Sequence, residues 1–352
     1  MLSTFRAVAL GVVLISATAL TACAGTNAGQ TSSPSSGASI NIIGGGKVTP
    51  HNMDKFAFIL NAMDTLSFPA ATAAGAKAAA KDLGVNVDLY WSAFDPAKEM
   101  ANYTSIMSGG EYGGIIFHAA GNQMCKKLSS DVAKAQVLVV EFNTPLCSNG
   151  SDSGEVLASD GSIAFVSGFN MSDSVLEMMN AAAAKLGDGP QQLLLVQGNQ
   201  GHGNVVAMDT AWATFSATHP NWKLAGEVYT DWSTPTAFTV TQDALQANPN
   251  VSVIFSPYVD ITAGAAKAVA AQGLSSKISV FETSGGSKVS VDLIKSGAVQ
   301  GSFPTYPYDM GYAAVQALVD AGKGVQPPKF ITSGKTPQLL TKENISAFTA
   351  QY

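Results

Sequence analysis

Apolar, strand-like runs alternate with helical segments along most of this chain, and that alternation is what most constrains its fold. Residues 56–63 form a run that is apolar except at Asn61, which is typical of a strand buried on both faces of a sheet. A helix is predicted over residues 69–84, because the segment begins with Pro69 and ends at Gly84. The same strand-then-helix pattern recurs as far as residue 282. Alternation of this length predicts parallel sheets covered by helices on both faces.

The alternation falls into two blocks, and it therefore predicts an α/β fold with two doubly wound parallel-sheet lobes joined by a hinge. The hinge is expected near residues 159–161, and residues 163–186 are expected to form one long helix. The predicted N-terminal lobe comprises residues 51–160 plus 306–330, and the predicted C-terminal lobe comprises residues 161–305 plus 331–352.

The first residues predict export from the cytoplasm. Arg6 precedes an apolar run over residues 7–20, which is too short to span a bilayer comfortably and fits a signal peptide over residues 1–22. The run ends in Leu20-Thr21-Ala22-Cys23, which resembles a bacterial lipobox, where the cysteine is lipidated. An ordinary secretory signal with a chance cysteine is the alternative. We expect an extracytoplasmic protein anchored to the cell membrane by a lipid on Cys23.

A flexible tether is predicted to follow the lipidated cysteine, so that the two together occupy residues 23–50. Up to residue 39 this segment is rich in Ser, Gly and Thr and has no apolar periodicity. Residues 40–50 are ambiguous, since they fit either more linker or an early strand that ends in glycines 44–46.

The remaining two cysteines, Cys125 and Cys147, predict a disulfide, because an even pair in an oxidising compartment is normally bridged. Two unrelated buried thiols are the alternative interpretation. Charged residues make up only 12% of the chain and the net charge is −6 without a basic stripe, which argues against nucleic acid as a partner.

No motif in the sequence indicates a metal, a cofactor or a catalytic residue. The glycine-rich segment 198–203 lies between a strand and a helix, but it matches neither phosphate-binding pattern and contains no Lys or Arg. The four histidines show no metal-ligand spacing, and no nucleophile elbow occurs.

Ligands of open parallel sheets bind beyond the carboxyl ends of the strands, which points to the segments that follow each predicted strand. These segments contain many aromatic and polar side chains and few cations, a mixture suited to sugar rings and their hydroxyls. They are residues 64–68, 91–94, 118–122, 143–144, 198–204, 231–232, 256–260 and 282–286.

Several of these segments together resemble the ribose-type (type I) periplasmic sugar-binding proteins of bacterial ABC transporters. The resemblance runs from about residue 55 to 330, and it rests on the order and spacing of the motifs rather than on any single one. The motifs are Leu66-Ser67-Phe68-Pro69, Asp95-Pro96-Ala97-Lys98-Glu99 with Ala101-Asn102, Val139-Val140-Glu141-Phe142-Asn143, Phe281-Glu282-Thr283, and Thr305-Tyr306-Pro307-Tyr308-Asp309-Met310-Gly311.

The resemblance implies roles for individual residues. Phe68 and Trp232 would stack on the two faces of a sugar ring, and Glu282 would occupy a hydroxyl-binding aspartate position. The other ligand-binding residues that the resemblance implies are Asn143, Tyr258 and Thr305. Asp64 is chosen as a ligand-binding residue from the segment 64–68, and four further candidates from these segments are Trp91, His118, His202 and Asp260. Asp64 serves equally well as a helix cap. For Phe68 a contact on its own helix is the alternative, but the ligand site is favoured because Pro69 fixes Phe68 at the start of the helix.

Two departures from the family pattern narrow the expected ligand. Asn143 stands where many sugar binders have an arginine, and the helix after residues 198–203 lacks the usual arginine. Without these cations a neutral sugar or polyol fits better than an acidic or phosphorylated ligand. We therefore expect a monomeric solute-binding protein that closes on a neutral monosaccharide or sugar alcohol and docks on an ABC permease. A carbohydrate-acting extracytoplasmic enzyme, or a sensor that docks on a membrane receptor, are the alternatives.

Overall fold

A computed structural model describes residues 36–147, 154–168, 171–187, 189–335 and 338–352. Within them, two parallel sheets with helices packed against them confirm the predicted α/β class. A short antiparallel hairpin precedes the sheets and consists of β1 (Ile40–Asn41) and β2 (Lys47–Val48).

The first sheet has six described strands and belongs to what we call the first lobe. In chain order they are β3 (Lys55–Leu60), β4 (Asn86–Trp91), β5 (Gly114–His118), β6 (Leu138–Phe142), β7 (Ala164–Val166) and, after the second lobe, the strand Phe330–Ile331. Its helices are α1 (Ser67–Leu83), α2 (Pro96–Gly109), α3 (Leu128–Ala135) and a late helix, Pro307–Gly322. The late helix packs along α1, so the chain returns to this lobe near its end.

The second sheet has five described strands and belongs to what we call the second lobe. Its strands are β8 (Gln191–Gln197), β9 (Trp222–Tyr229), β10 (Val253–Ser256), β11 (Ser279–Gly285) and β12 (Gly301–Pro304). Its helices are α4 (Met171–Leu186), α5 (Gly203–Thr218), α6 (Thr234–Ala247), α7 (Val259–Ala271) and α8 (Lys288–Ser296). Numbered in chain order, the late helix of the first lobe is α9 (Pro307–Gly322) and its last strand is β13 (Phe330–Ile331).

Both sheets are wholly parallel, and their strand orders are β13-β7-β6-β5-β3-β4 and β12-β11-β10-β8-β9. Successive residues of β8 enter opposite cores: Leu193 and Leu195 pack in one buried cluster, and Leu194 and Val196 in another. This alternation explains the continuous apolar strands, since both faces of the sheet are covered.

The structure corrects the predicted long helix over residues 163–186. Residues 164–166 form β7, which pairs with β6 and β13, and the helix begins only at residue 171. Ile163 to Val166 is an unbroken buried apolar run, which suits an interior strand better than a helix with a single apolar face. The first sheet therefore continues beyond the expected lobe boundary at residue 160.

The last part of the predicted tether is also folded. Ile40 and Val48 of the hairpin are 2% and 0% exposed, and the Ile43 N–H donates to the Ser162 carbonyl at 2.9 Å. The strand alternative for residues 40–50 is thus correct, because these apolar side chains are buried against the first lobe. The predicted signal peptide and Cys23 lie outside the described residues. Within the described residues, no helix is long and apolar enough to cross a membrane.

Candidate functional site

A cavity lies between the two lobes at the carboxyl ends of their strands, and we call it the inner cavity. Its empty space, which includes space open to solvent, is about 410 Å³. The first lobe contributes Asn61, Ala62, Leu66, Phe68, Pro69, Phe94, His118 and Asn143, and the second lobe contributes His202, Asn204, Trp232, Pro257, Tyr258 and Ser284.

Three of these residues owe their position to an unusual backbone conformation. Phe94, Asn143 and Trp232 have φ values of 59°, 57° and 69°, in the left-handed region that side chains other than glycine rarely adopt. Each follows the carboxyl end of a strand, and the chain is held there by hydrogen bonds such as Asn143 N–H to the Val166 carbonyl at 2.8 Å. Strained backbone of this kind concentrates at functional sites.

The aromatic side chains of the cavity form one cluster that spans the lobes. The Trp232 ring lies 6.2 Å from Phe94 in a stacked arrangement, and 4.7 Å from His202 edge to face. Tyr258 meets the other side of Trp232 at 6.0 Å. Gly198 makes room for the indole, since a Cβ there would lie 2.0 Å from Trp232 Cζ2. Such a cluster offers flat apolar faces to a ring-shaped ligand.

Hydrogen bonds across the cleft show that the lobes are closed. Tyr258 Oη accepts from the Phe68 N–H at 3.1 Å and lies 3.0 Å from Ser67 Oγ. Asn61 Nδ2 lies 3.4 Å from His202 Nε2. The cavity therefore becomes enclosed when second-lobe side chains meet the start of α1 and the end of β3.

Two buried polar atoms of the cavity residues have no hydrogen-bond partner within the described part of the chain. They are Trp232 Nε1 and His118 Nδ1, and each residue is only 4% exposed. A buried polar atom without a hydrogen-bond partner lowers the stability of the folded state by roughly 1–3 kcal/mol. These two atoms therefore leave hydrogen bonds of the site unformed.

The inner cavity is electrically neutral. No Asp, Glu, Lys or Arg is among the described residues that line it. Burial lowers the pKa of His118 to about 3, with the nearby His202 as a smaller cause, and burial lowers the pKa of His202 to about 4. Both imidazoles are therefore uncharged at neutral pH, and the cavity presents amides, hydroxyls and aromatic faces.

The structure brings together six of the residues chosen from the sequence: Phe68, His118, Asn143, His202, Trp232 and Tyr258. Five others lie outside the lining. Asp64 is exposed in the turn before α1, and Trp91 packs against the core at the end of β4. Asp260 lies in the first turn of α7, where it accepts from Ser67 Oγ at 3.4 Å.

Glu282 and Thr305 are also absent from the lining of the inner cavity. Glu282 is 0% exposed, and its Oε2 accepts from Ser302 Oγ at 2.5 Å. A Cβ at Gly285 would lie 1.7 Å from that carboxylate, so the side chain runs beneath the turn that ends β11. Thr305 donates from its N–H and its Oγ1 to the Gly285 carbonyl at 2.8 and 3.2 Å. Burial raises the Glu282 pKa to about 7.

Four polar or aromatic residues of the lining were not chosen from the sequence: Asn61, Phe94, Asn204 and Ser284. The last three lie within the segments predicted to follow strands, so the position was indicated although the residue was not. Asn61 was missed because the apolar run 56–63 extended the predicted strand past its true end at Leu60.

The predicted disulfide is confirmed: Cys125 and Cys147 are bridged, with their Cα atoms 5.1 Å apart. The bridge joins the segment before α3 to the segment after β6. Within the described residues, no group of three or more His, Cys, Asp or Glu side chains is arranged to hold a metal ion.

Two α/β lobes closed over an uncharged, aromatic cavity define a class of proteins that enclose a small polar ligand between parallel sheets. Residues 56–325 match the model of a family described as a periplasmic binding protein domain. The chain belongs to this family, as its resemblance to the ribose-type proteins implied.

Individual relatives agree with this assignment. The chain is 23% identical over 270 residues to the D-allose-binding periplasmic protein of Escherichia coli K12, covering 76% of this chain and 83% of that protein. A carbohydrate-transporter solute-binding protein of Agrobacterium radiobacter, solved with D-arabinose, matches with a TM-score of 0.69 at 20% identity over 83% of this chain and 95% of that one. A solute-binding protein of Mycobacterium smegmatis, solved with glycerol, matches with a TM-score of 0.72 at 22% identity over 83% and 96%.

Proposed function

We propose that this protein is the extracytoplasmic solute-binding component of an ABC importer and that it captures a neutral monosaccharide or sugar alcohol in the inner cavity. The observation that carries the proposal is the lining: aromatic faces from both lobes, uncharged polar groups, and the unpaired Trp232 Nε1 and His118 Nδ1. A sugar has apolar C–H faces for the rings and hydroxyls for these polar atoms.

The relatives support this ligand class. The proteins named above bind D-allose or were solved with D-arabinose or glycerol, all of which are neutral polyhydroxyl compounds. Their shared chemistry fits a cavity lined by Asn61, Asn143 and Asn204, because side-chain amides both donate to and accept from hydroxyls.

Binding would work through closure of the lobes. A ligand shifts the open–closed equilibrium only if it binds the closed state better, which requires contacts to both lobes. Phe68 and Asn143 would supply the contacts of the first lobe, and Trp232 and Tyr258 those of the second. The closed form would then dock on a membrane permease and release the ligand without chemical change.

The same proposal includes a location for the protein at the outer side of the cell membrane. Lipidation of Cys23 would hold a monomeric binding protein at the membrane, close to its permease. Metabolic labelling with a radioactive fatty acid tests this step: the full chain should be labelled and Cys23→Ser should not be. Labelling of the Cys23→Ser variant would exclude this cysteine as the anchor.

A thermal-shift screen of the exported chain carrying Cys23→Ser tests the function. A panel of pentoses, hexoses, sugar alcohols, nucleosides and amino acids is suitable. A ligand present at about a hundred times its Kd stabilises the folded state by about 2.7 kcal/mol, which raises the Tm by several degrees. A shift with a neutral carbohydrate is expected. A shift only with amino acids or nucleosides would contradict the proposed ligand class.

A further inference from the structure

A second, larger cavity adjoins the inner cavity, and we call it the outer chamber. Its empty space is about 1210 Å³, and residues of both lobes line it. Phe94 and His202 line both spaces, with their ring centroids 6.4 Å apart and their planes nearly perpendicular. The two spaces are therefore neighbours that share one aromatic wall.

The polar lining of the outer chamber is made of side-chain amides. Asn122 and Gln123 come from the first lobe, and Asn199 and Gln200 come from the second. Among the described residues, none is a hydrogen-bond partner for these four amides, and no Asp, Glu, Lys or Arg lines the chamber. All four side chains are exposed to solvent, so their amides are accessible to a neutral ligand that carries several hydroxyls.

A disulfide and a buried hydrogen bond connect the first-lobe wall of the chamber to the rest of its lobe. The Cys125–Cys147 disulfide joins the residues that directly follow the lining segment 120–123 to those that follow Pro145, another lining residue. Behind this wall, the Ala120 N–H donates to the buried Glu99 carboxylate at 2.9 Å. A covalent clamp and a buried hydrogen bond fix the wall before ligand arrives, which favours binding by lowering its entropic cost.

From this juxtaposition we propose that the outer chamber is a second sugar subsite, so that the preferred ligand is a glycoside or disaccharide rather than a single sugar. One unit would occupy the inner cavity, and the substituent on it would pass Phe94 and His202 to reach the four amides. This inference rests on the proposed function, because it assumes that the inner cavity holds a sugar or polyol unit.

Isothermal titration calorimetry on the exported chain tests the inference. The probes are D-glucose, D-galactose, D-allose and D-arabinose, each compared with its methyl α- and β-glycosides, together with maltose, cellobiose, lactose and melibiose. One or two ordinary hydrogen bonds correspond to an affinity gain of about tenfold. At least one glycoside or disaccharide is expected to bind about tenfold more tightly than its parent sugar.

Variants assign that gain to the chamber. For each sugar, the Kd of the unsubstituted sugar is divided by the Kd of its glycoside. In the double variant Asn122→Ala/Gln200→Ala this ratio should fall from about ten to below about three, since two of the amides are lost. The matched control Gln246→Ala/Asn250→Ala removes two exposed amides outside the chamber, and it should keep the ratio of the unaltered protein.

Two outcomes would overturn the second subsite, and a third would overturn the proposed function. If parent sugars bind and every glycoside and disaccharide binds more weakly, the chamber is not a subsite and the inference is overturned. A tenfold gain that survives in the Asn122/Gln200 variant also overturns it, because the extra contacts then lie elsewhere. If none of these carbohydrates binds, and none of the pentoses, hexoses and sugar alcohols of the thermal-shift screen does, the proposed function itself fails, and that failure is distinct from the first two.

Discussion

The indole of Trp232 and the ring of Phe94 stack across the cleft, with centroids 6.2 Å apart and planes inclined by 18°. One ring belongs to each lobe, and each is carried by a left-handed residue that follows a strand. The pair therefore forms only when the lobes close, and its geometry reports on closure. The unpaired Trp232 Nε1 adds a hydrogen-bond donor to this apolar contact.

Trp232→Phe tests the contribution of the indole N–H separately from that of the aromatic face. The variant keeps an aromatic face but loses the N–H, so the Kd for the sugar found in the screen should rise about three- to tenfold, the value of one neutral hydrogen bond. Trp232→Ala should weaken binding further, because the apolar face is lost as well. Titration calorimetry measures both changes. Trp212→Phe on α5 is the matched control, and an equal loss in that variant would contradict a specific role for Trp232.

Tyr258→Phe is expected to weaken closure. The Tyr258 hydroxyl accepts from the Phe68 N–H and contacts Ser67, so its removal leaves a buried donor of the first lobe unpaired. The open form should become more populated, and the apparent Kd should rise about tenfold. Distances between spin labels on the two lobes would measure the open fraction. Tyr308→Phe, which removes the hydroxyl of a partly exposed tyrosine on α9, should leave both quantities unchanged.

The sequence was sufficient to predict most of the alternation of strands and helices as far as residue 282, because strands buried on both faces are continuous apolar runs flanked by helices. Helix α2 is an example, since Asp95 accepts from two N–H groups of its first turn. Strand β7 was not predicted. Its three residues directly precede the pattern of α4, and a short apolar run at that point is ambiguous between strand and helix.

The site was predicted only in part, and the reason is local backbone geometry. The rule that ligands lie beyond the carboxyl ends of parallel strands indicated the segments that contain Phe68, Asn143 and Trp232. It does not determine side-chain direction. Phe94 enters the cavity through a left-handed conformation that no sequence signal indicates for an aromatic residue, whereas Glu282 runs beneath Gly285 because that turn lacks a Cβ.

Removal of the Cys125–Cys147 bridge should destabilise the folded protein. The bridge has a sequence separation of 22, which corresponds to about 3 kcal/mol of loop-closure entropy in the unfolded chain. The double variant Cys125→Ser/Cys147→Ser should therefore melt several degrees below the parent protein in a thermal scan. Reducing agent should lower the Tm of the parent and leave that of the double variant unchanged. Equal melting temperatures for both proteins without reductant would contradict the expectation.

Glu282 is expected to make the stability of the protein fall as the pH rises. Burial raises its pKa from 4.5 to about 7, so between these values the folded state binds a proton that the unfolded state has released. The free energy of unfolding should therefore decrease from about pH 4.5 to about pH 7 and then level off. The glutamine of Glu282→Gln is neutral throughout this pH range. Denaturant unfolding at a series of pH values should therefore show a flatter profile for this variant and, above pH 7, a larger free energy of unfolding than for the parent.

Glu177→Gln, at an exposed position on α4, is the control and should follow the parent profile. Parallel profiles for the Glu282→Gln variant and the parent would show that this carboxyl does not titrate in that range. Because Glu282 lies outside the inner cavity, its substitution should leave the sugar affinity within about twofold of the parent value.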